Sequence, residues 1–151
     1  MTETPDPAQR SIDLTRDATG RYTARNAAGA SVSFGQADDL LSPVELLLAA
    51  IAGCSAIDVD TVTSRRTEPT EFRVEAAGRK IVDENGGNRV EDLHLSFHLG
   101  FAADDAGRQA AGLVDRLVAL SHDKNCTVSR TVEHGTSVGF DVQVRVGDGE
   151  S

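Results

Sequence analysis

Residues 42–58 constrain the fold of this chain more than any other stretch. The residues SPVE at 42–45 form a capping box, with serine at the N-cap and proline at the first helical position. The apolar run LLLAAIAGCSAI follows at 46–57, and Pro69 sets the latest end of a helix. We therefore predict one long helix over residues 43 to about 65. Its middle is apolar on every side, which predicts burial all round.

Alternating apolar and polar residues predict strands on both sides of this helix. Residues 11–35 contain three such stretches, separated by turns at 17–20 and 26–29, which predicts a β-meander. Two longer alternating runs flank a turn at 83–88 and predict a hairpin. Valine or phenylalanine at every second position of 138–146 predicts a last strand.

The stretch between the hairpin and the last strand has helical spacing. It predicts a helix at about 104–120, a loop at 121–125, and a short helix that Cys126 opens and that ends near Glu133. The predicted order is βββ-α-ββ-α-α-β. Because the strands cluster in hairpins instead of alternating with helices, the pattern favours an α+β fold over a doubly wound parallel sheet.

The length and the charge of the chain narrow its class. With 151 residues it has the length of one domain, which we place at 11–146 between flexible tails at 1–10 and 147–151. Its net charge of −9 would repel nucleic acid and anionic membrane surfaces. No uninterrupted apolar run reaches the roughly 20 residues of a membrane span, so we expect no membrane partner. No signal peptide is recognisable, so we expect a cytoplasmic protein.

The two cysteines are the residues most suited to chemistry. Cys54 lies in the middle of the long helix and Cys126 at the start of a short one, so only the tertiary fold could bring them together. Two cysteines are too few for a disulfide framework, which leaves buried packing, redox chemistry or metal ligation. A zinc site with His122 matches no standard spacing. His94 and His98 lie about 13 Å apart along a strand, so we expect no metal.

Two motifs resemble the OsmC/Ohr family of thiol peroxidases. The stretch SPVELLLAAIAGCSAIDV at 42–59 resembles the central-helix signature of that family, and LSHDKNCTV at 120–128 resembles its second cysteine motif. The predicted element order agrees over residues 11–146. The resemblance implies an OsmC-like α+β fold and an intertwined homodimer with sites at the subunit interface, without a cofactor.

The resemblance also implies a two-cysteine peroxide cycle in oxidative-stress defence. Cys54 would be the peroxidatic thiolate and Cys126 the resolving thiol, and an external dithiol or lipoyl-type reductant would reduce their intramolecular disulfide. Apolar residues beside Cys54 favour organic hydroperoxides over hydrogen peroxide. The alternatives are an OsmC-like binding or redox-sensing module without efficient turnover, and two inert buried cysteines.

The family's peroxidases use an arginine from the N-terminal hairpin, oriented by a glutamate early in the central helix. Arg16 is the candidate for activating the thiolate, with Arg21 and Arg25 as alternatives. Val44 occupies the position of the family's glutamate, and Glu45, the candidate for orienting the arginine, comes one residue later.

Glu45 already has a sufficient role in the capping box. It precedes Cys54 by nine residues, a helical rise of about 13–14 Å, so it could serve the site only through an arginine or across a subunit interface.

The local electrostatics of the two cysteines differ. A mid-helix thiol in apolar surroundings has a raised pKa and needs a nearby cation to ionise. Cys126, at a helix N-terminus beside Lys124, has better electrostatics, and we expect it to be partly exposed to water. Asp58 lies one turn after Cys54 and is expected to pair with a structural partner. We interpret Ser55 and Thr127 as packing and capping residues.

Overall fold

The computed structural model describes residue 4 and residues 6–147. The predicted tails therefore fall partly outside the described residues, at 1–3, 5 and 148–151. Three strands are followed by a long helix, two strands, a helix, a π-helical turn and a short helix. The predicted α+β class is confirmed.

The three N-terminal strands form an antiparallel sheet in the order β1-β2-β3. They are β1 (Asp13–Ala18), β2 (Arg21–Arg25) and β3 (Ser31–Gly35), which confirms the predicted meander. Gly29 has a φ of 90° in the second turn, a conformation that glycine adopts without strain. All six residues of β1 are exposed, so this edge of the sheet is uncovered in the single chain.

The first helix, α1 (Pro43–Thr63), begins at the predicted capping box. Ser42 Oγ accepts from the backbone N–H of Glu45 at 3.2 Å, and the backbone N–H of Ser42 donates to Glu45 Oε2 at 2.7 Å. These two bonds satisfy donors that a helix start otherwise leaves unpaired. The helix ends two residues before the predicted end, with Ser64 as its C-cap.

Only one face of α1 is buried, so the prediction of burial all round is wrong for the single chain. The buried stripe consists of Ile51, Ser55, Val59 and Thr63. On the other side Ile57 is 67% exposed. The helix packs against neighbouring helices and a strand on one side, and no described element covers the opposite side as closely.

The length and the hydropathy of α1 can be compared with those of a membrane-spanning helix. The helix has 21 residues and contains a window of mean hydropathy 1.6, so by these two measures it is long and apolar enough to cross a membrane. The core helices of globular proteins pass the same test of length and composition.

The predicted hairpin is present as β4 (Glu71–Val82) and β5 (Asn88–Gly100), paired antiparallel. Asp83 Oδ1 closes its turn by accepting from the backbone N–H groups of Asn85 at 3.0 Å and Gly87 at 2.9 Å. The hairpin packs on α1 through β4. It forms one wall of a cavity that also borders α1.

The predicted loop at 121–125 is a π-helical turn. It directly continues α2 (Asp105–Leu120). The backbone N–H of Cys126 donates to the backbone carbonyl oxygen of Ser121 at 2.8 Å. No glycine or proline stands between the two helices, so the chain keeps coiling through a wider turn. The short helix α3 (Thr127–His134) follows.

The predicted last strand at 138–146 is absent from the described structure. Val138, Phe140, Val142, Val144 and Val146 are 74–91% exposed, and the segment has no strand or helix assignment. An alternating pattern specifies two faces of a segment but does not supply the neighbouring strand that must accept its hydrogen bonds. In the single chain this segment has no such neighbour among the described residues.

Candidate active site

The fold brings the two cysteines together. Cys54 lies on α1, Cys126 is the N-cap residue of α3, and α3 packs against α1. Both thiols are free. They face each other closely enough that each perturbs the ionisation of the other.

Cys126 is fully buried, with 0% of its surface exposed, so the expected partial exposure of this residue is wrong. Its thiol donates to Ser129 Oγ at 3.1 Å and accepts from the backbone N–H of Ser129 at 3.4 Å. The polar residues before it suggested contact with water. They form the π-helical turn instead, and this turn contacts both α1 and α3.

The surroundings of the two thiols shift their pKa values in opposite directions. Burial raises the pKa of Cys54, and the backbone N–H groups of Val128 and Thr127 offset this only in part. Burial also acts to raise the pKa of Cys126, but hydrogen bonds from Ser129 and Ser55 outweigh it, so this pKa lies below its usual value. Cys54 is only half-buried and is the thiol that a solute meets first.

A chain of buried hydroxyls connects this site to a carboxylate. Ser121 donates to Asp58 Oδ2 at 2.6 Å, and its Oγ lies 3.3 Å from Ser55 Oγ. Ser121 is 0% and Ser55 4% exposed. The expected structural partner of Asp58 is thus confirmed as Ser121. The sequence showed a serine in each cysteine motif, but no local signal indicated that the two serines meet.

The three candidate arginines lie in the N-terminal sheet. Arg16 donates to Thr19 Oγ1 at 2.9 Å, and Arg25 donates to Thr15 Oγ1 at 3.1 Å. Arg21 forms a double hydrogen bond with the carboxylate of Asp39, at 2.7 and 3.2 Å.

No hydrogen bond among the described residues joins these arginines to Cys54 or to Glu45. Glu45 is engaged in the capping box, and the N–H of Ser42 holds the pKa of this carboxyl below its usual value. The cation that Cys54 needs is therefore not supplied by these contacts.

A cavity of about 320 Å³ lies between α1, the hairpin and α3. Its wall is largely apolar, with residues such as Leu48, Ile51 and Phe97, and it includes Ser55 and Ser129. Among the described residues no three His, Cys, Asp or Glu side chains converge as ligands for a metal ion.

A family model described as OsmC-like protein matches residues 35–141. The chain belongs to the OsmC-like family. Uncharacterized proteins of Mycobacterium tuberculosis and Mycobacterium bovis are 30% identical to it over 130 residues, covering 84% of this chain and 91% of theirs.

Several solved structures share this fold. A hypothetical protein from Aquifex aeolicus is 20% identical, with a TM-score of 0.66 over 85% of this chain and 89% of the other. An OsmC-like protein from Mycoplasma pneumoniae is 10% identical, with a TM-score of 0.64 and the same coverage. The organic hydroperoxide resistance protein OhrB of Bacillus subtilis is 18% identical, with a TM-score of 0.50 over 80% of this chain and 90% of its own. At these identities the likeness concerns the fold.

Proposed function

We propose that this protein is a thiol-dependent hydroperoxide reductase with a two-cysteine cycle. The observation that carries the proposal is the meeting of two free thiols from motifs 72 residues apart, at positions 54 and 126. Some structural neighbours bear the name organic hydroperoxide resistance protein, which favours the same chemistry.

The exposure of the two thiols supports the roles that we propose for them. The half-buried Cys54 attacks the O–O bond of the peroxide and becomes a sulfenic acid, while an alcohol or water leaves. The buried Cys126, whose hydrogen bonds favour its thiolate, then attacks Cys54 and forms the disulfide with loss of water. An external dithiol takes up the oxidising equivalents and returns both thiols.

The residues around Cys54 favour an organic hydroperoxide over hydrogen peroxide. Ala50 and Ile57 lie one turn before and one turn after it along α1, and both are exposed in the single chain. An apolar substituent on the peroxide would cover such a surface, and hydrogen peroxide has none to offer.

We further propose that the working form is a homodimer. A compact monomer of 16.0 kDa has about 7,400 Å² of accessible surface, whereas this chain has 11836 Å². The exposed face of α1, the exposed β1 and the segment 138–146 account for apolar surface that a second copy would cover. We therefore expect an interface in the obligate range, above about 2,000 Å² in total.

In the proposed dimer, the partner subunit supplies the cation that Cys54 needs. Arg16 lies on the exposed β1 and is bonded only to a hydroxyl among the described residues, so it is available to a site on the partner. A guanidinium near the thiol would favour its ionised form.

The proposal predicts different outcomes for the two cysteine variants. Without a dithiol, the wild type should consume one equivalent of organic hydroperoxide. Cys54→Ser should consume none, because the attacking sulfur is gone. Cys126→Ser should consume the first equivalent and then retain Cys54 as a sulfenic or over-oxidised acid, which intact mass detects. Equal consumption by the two variants would contradict these roles.

A redox-sensing module without turnover is the second candidate, and the raised pKa of Cys54 together with Val44 at the family's glutamate position favours it. Addition of a dithiol separates the two. A reductase then consumes many equivalents of peroxide per chain, whereas such a sensor stops after one.

A further inference from the structure

We propose that the space beside the hairpin binds a single-chain alkyl carboxylate, an amphiphile with one anionic headgroup. The cavity of about 320 Å³ described above, here called the inner cavity, adjoins an open groove of about 300 Å³, here called the outer groove. Leu93 of β5 and Val132 of α3 border both spaces, so a chain-like ligand can extend from one into the other. Neither cysteine borders either space, so the inference does not rest on the proposed function.

A β-bulge in the hairpin builds the wall that the two spaces share. The strand pairing shifts at Gly78, where β5 carries one residue more than β4, and Asp92 in this bulge has a φ of 54°. The extra residue changes the alternation of β5, so Val90 and Leu93 face the same side of the hairpin. A Cβ atom at Gly78 would lie 2.8 Å from Leu93 Cδ2 and 2.8 Å from Val90 Cγ1, in agreement with this placement. The bulge therefore turns both apolar side chains towards the outer groove.

Lys80 gives the outer groove a positive charge. It pairs with Val90 across the hairpin, and directly opposite residues share one face of a strand pair, so Lys80 lies on the groove side. Lys80 is exposed, and no ion pair within the described part of the chain includes it. Arg89 also borders the groove, and it is paired with Glu91 at 3.2 Å. In a chain with a net charge of −9, the groove thus offers an anion a local cation.

The inner cavity suits the alkyl chain of such a ligand. Its wall is largely apolar, and burial of a hydrocarbon chain against it removes apolar surface from water. Glu133 borders the inner cavity but not the outer groove, and it lies 3.6 Å from His122 Nε2. A carboxylate headgroup in the inner cavity would meet this negative charge. The charges therefore orient the ligand, with its headgroup at Lys80 and its tail between α1, the hairpin and α3.

A second copy of the chain is the competing occupant of the outer groove, because Val44 and Leu47 of α1 also border it. Two observations favour the small ligand. Lysine is depleted in the cores of protein interfaces, whereas Lys80 lies on the groove side. An inner cavity of about 320 Å³ has the size of a small-molecule site, and its volume suits one alkyl chain better than a lipid with two.

Isothermal titration calorimetry of the full-length protein at pH 7 tests the site with sodium decanoate below its micellar concentration. Hexanoate and octanoate shorten the tail, and decyltrimethylammonium combines the same tail with the opposite charge. We expect one decanoate per chain. Each methylene added between hexanoate and decanoate should raise the affinity by up to about fourfold, as burial of a methylene group requires. Decyltrimethylammonium should bind at least about tenfold more weakly than decanoate, because Lys80 repels its headgroup.

Substitutions at the two ends of the site separate the headgroup from the tail. Lys80→Glu should weaken decanoate binding by at least about tenfold, because repulsion replaces attraction. Lys124→Glu is the matched control, since it makes the same charge change at an exposed residue that borders neither space. Val118→Phe adds volume at the wall of the inner cavity and should weaken decanoate more than hexanoate. Thermal unfolding shows whether each variant folds, and Ala76→Val repeats the tail test with a smaller change of the same wall.

The inference is overturned if decanoate does not bind, or if hexanoate and decanoate bind equally well, which indicates attraction to surface charge alone. Equal losses in Lys80→Glu and Lys124→Glu would contradict the position of the headgroup. If decanoate does not bind and Lys80→Glu changes the oligomeric state in light scattering, a second copy occupies the groove. Decanoate carries no peroxide and its binding needs no thiol, so a failure of the reductase proposal leaves this result unchanged.

Discussion

The surroundings of Cys126 and the segment 138–146 are opposite extremes of burial within one chain. Cys126 and Ser121 are 0% exposed, whereas the valines of 138–146 are 74–91% exposed. The burial is the reverse of what composition suggests, because Cys126 has polar sequence neighbours and the segment 138–146 carries the apolar residues. One chain therefore buries the resolving thiol by itself, whereas the alternating segment finds no cover among the described residues. Under our proposal a second copy provides that cover.

A charge in the exposed segment gives the most severe test of this contrast. Val142→Glu should prevent dimer formation and remove nearly all reductase activity, because a carboxylate cannot be buried unpaired at an apolar interface. Gln143→Glu adds the same charge at the neighbouring, polar position of the alternation and should leave a dimer. Light scattering at low micromolar concentration measures the outcome. An active, dimeric Val142→Glu protein would show that the segment lies outside the interface.

Substitutions of the arginines in the N-terminal sheet test whether a second copy contributes to the thiol site. Arg16→Ala should lower kcat/KM by about 100-fold, since a nearby cation shifts a thiol pKa by roughly 1–3 units. Arg21→Ala is the matched control, because Arg21 is already paired with Asp39. Steady-state assays with organic hydroperoxide and a dithiol compare them. Equal losses in both variants would indicate a structural role of the sheet.

Substitutions on the two faces of α1 should change the free energy of unfolding, a smaller effect than the loss of activity above. Val59 is 0% exposed and Ile57 is 67% exposed in the single chain. Val59→Ala should lower the free energy of unfolding by about 2 kcal/mol. Ile57→Ala should cost at least about 2 kcal/mol if a partner covers this face. If Ile57→Ala lowers the free energy of unfolding by less than about 0.5 kcal/mol, as at solvent-exposed sites, no partner covers this face. Urea titration measures both.

The elements predicted correctly from the sequence are those with local signals. The capping box at Ser42 and Glu45 fixes the start of α1, because its hydrogen bonds join residues three apart. The turn around Asp83 fixes the hairpin in the same way. The strand at 138–146 could not be decided locally, since a strand depends on a neighbour that the described part of the single chain does not provide.

The site was predictable in its cysteines but not in its serines. The motifs indicated Cys54 and Cys126, yet the contact between Ser55 and Ser121 joins residues 66 apart and has no local pattern. The exposure of Cys126 was predicted wrongly because its polar neighbours were interpreted as a loop. They continue a helix whose turn folds the sulfur inward. Arg16 and Glu45 remain predictions.

The disulfide between Cys54 and Cys126 is the direct test of the proposed cycle. The reduced protein is treated with one equivalent of organic hydroperoxide, and its intact mass is measured with a non-reducing gel alongside. We predict a loss of two hydrogens within a single chain, with no covalent dimer on the gel, and full reversal by a dithiol. A mass gain of oxygen atoms without loss of hydrogen, or a disulfide between chains, would contradict the proposed cycle.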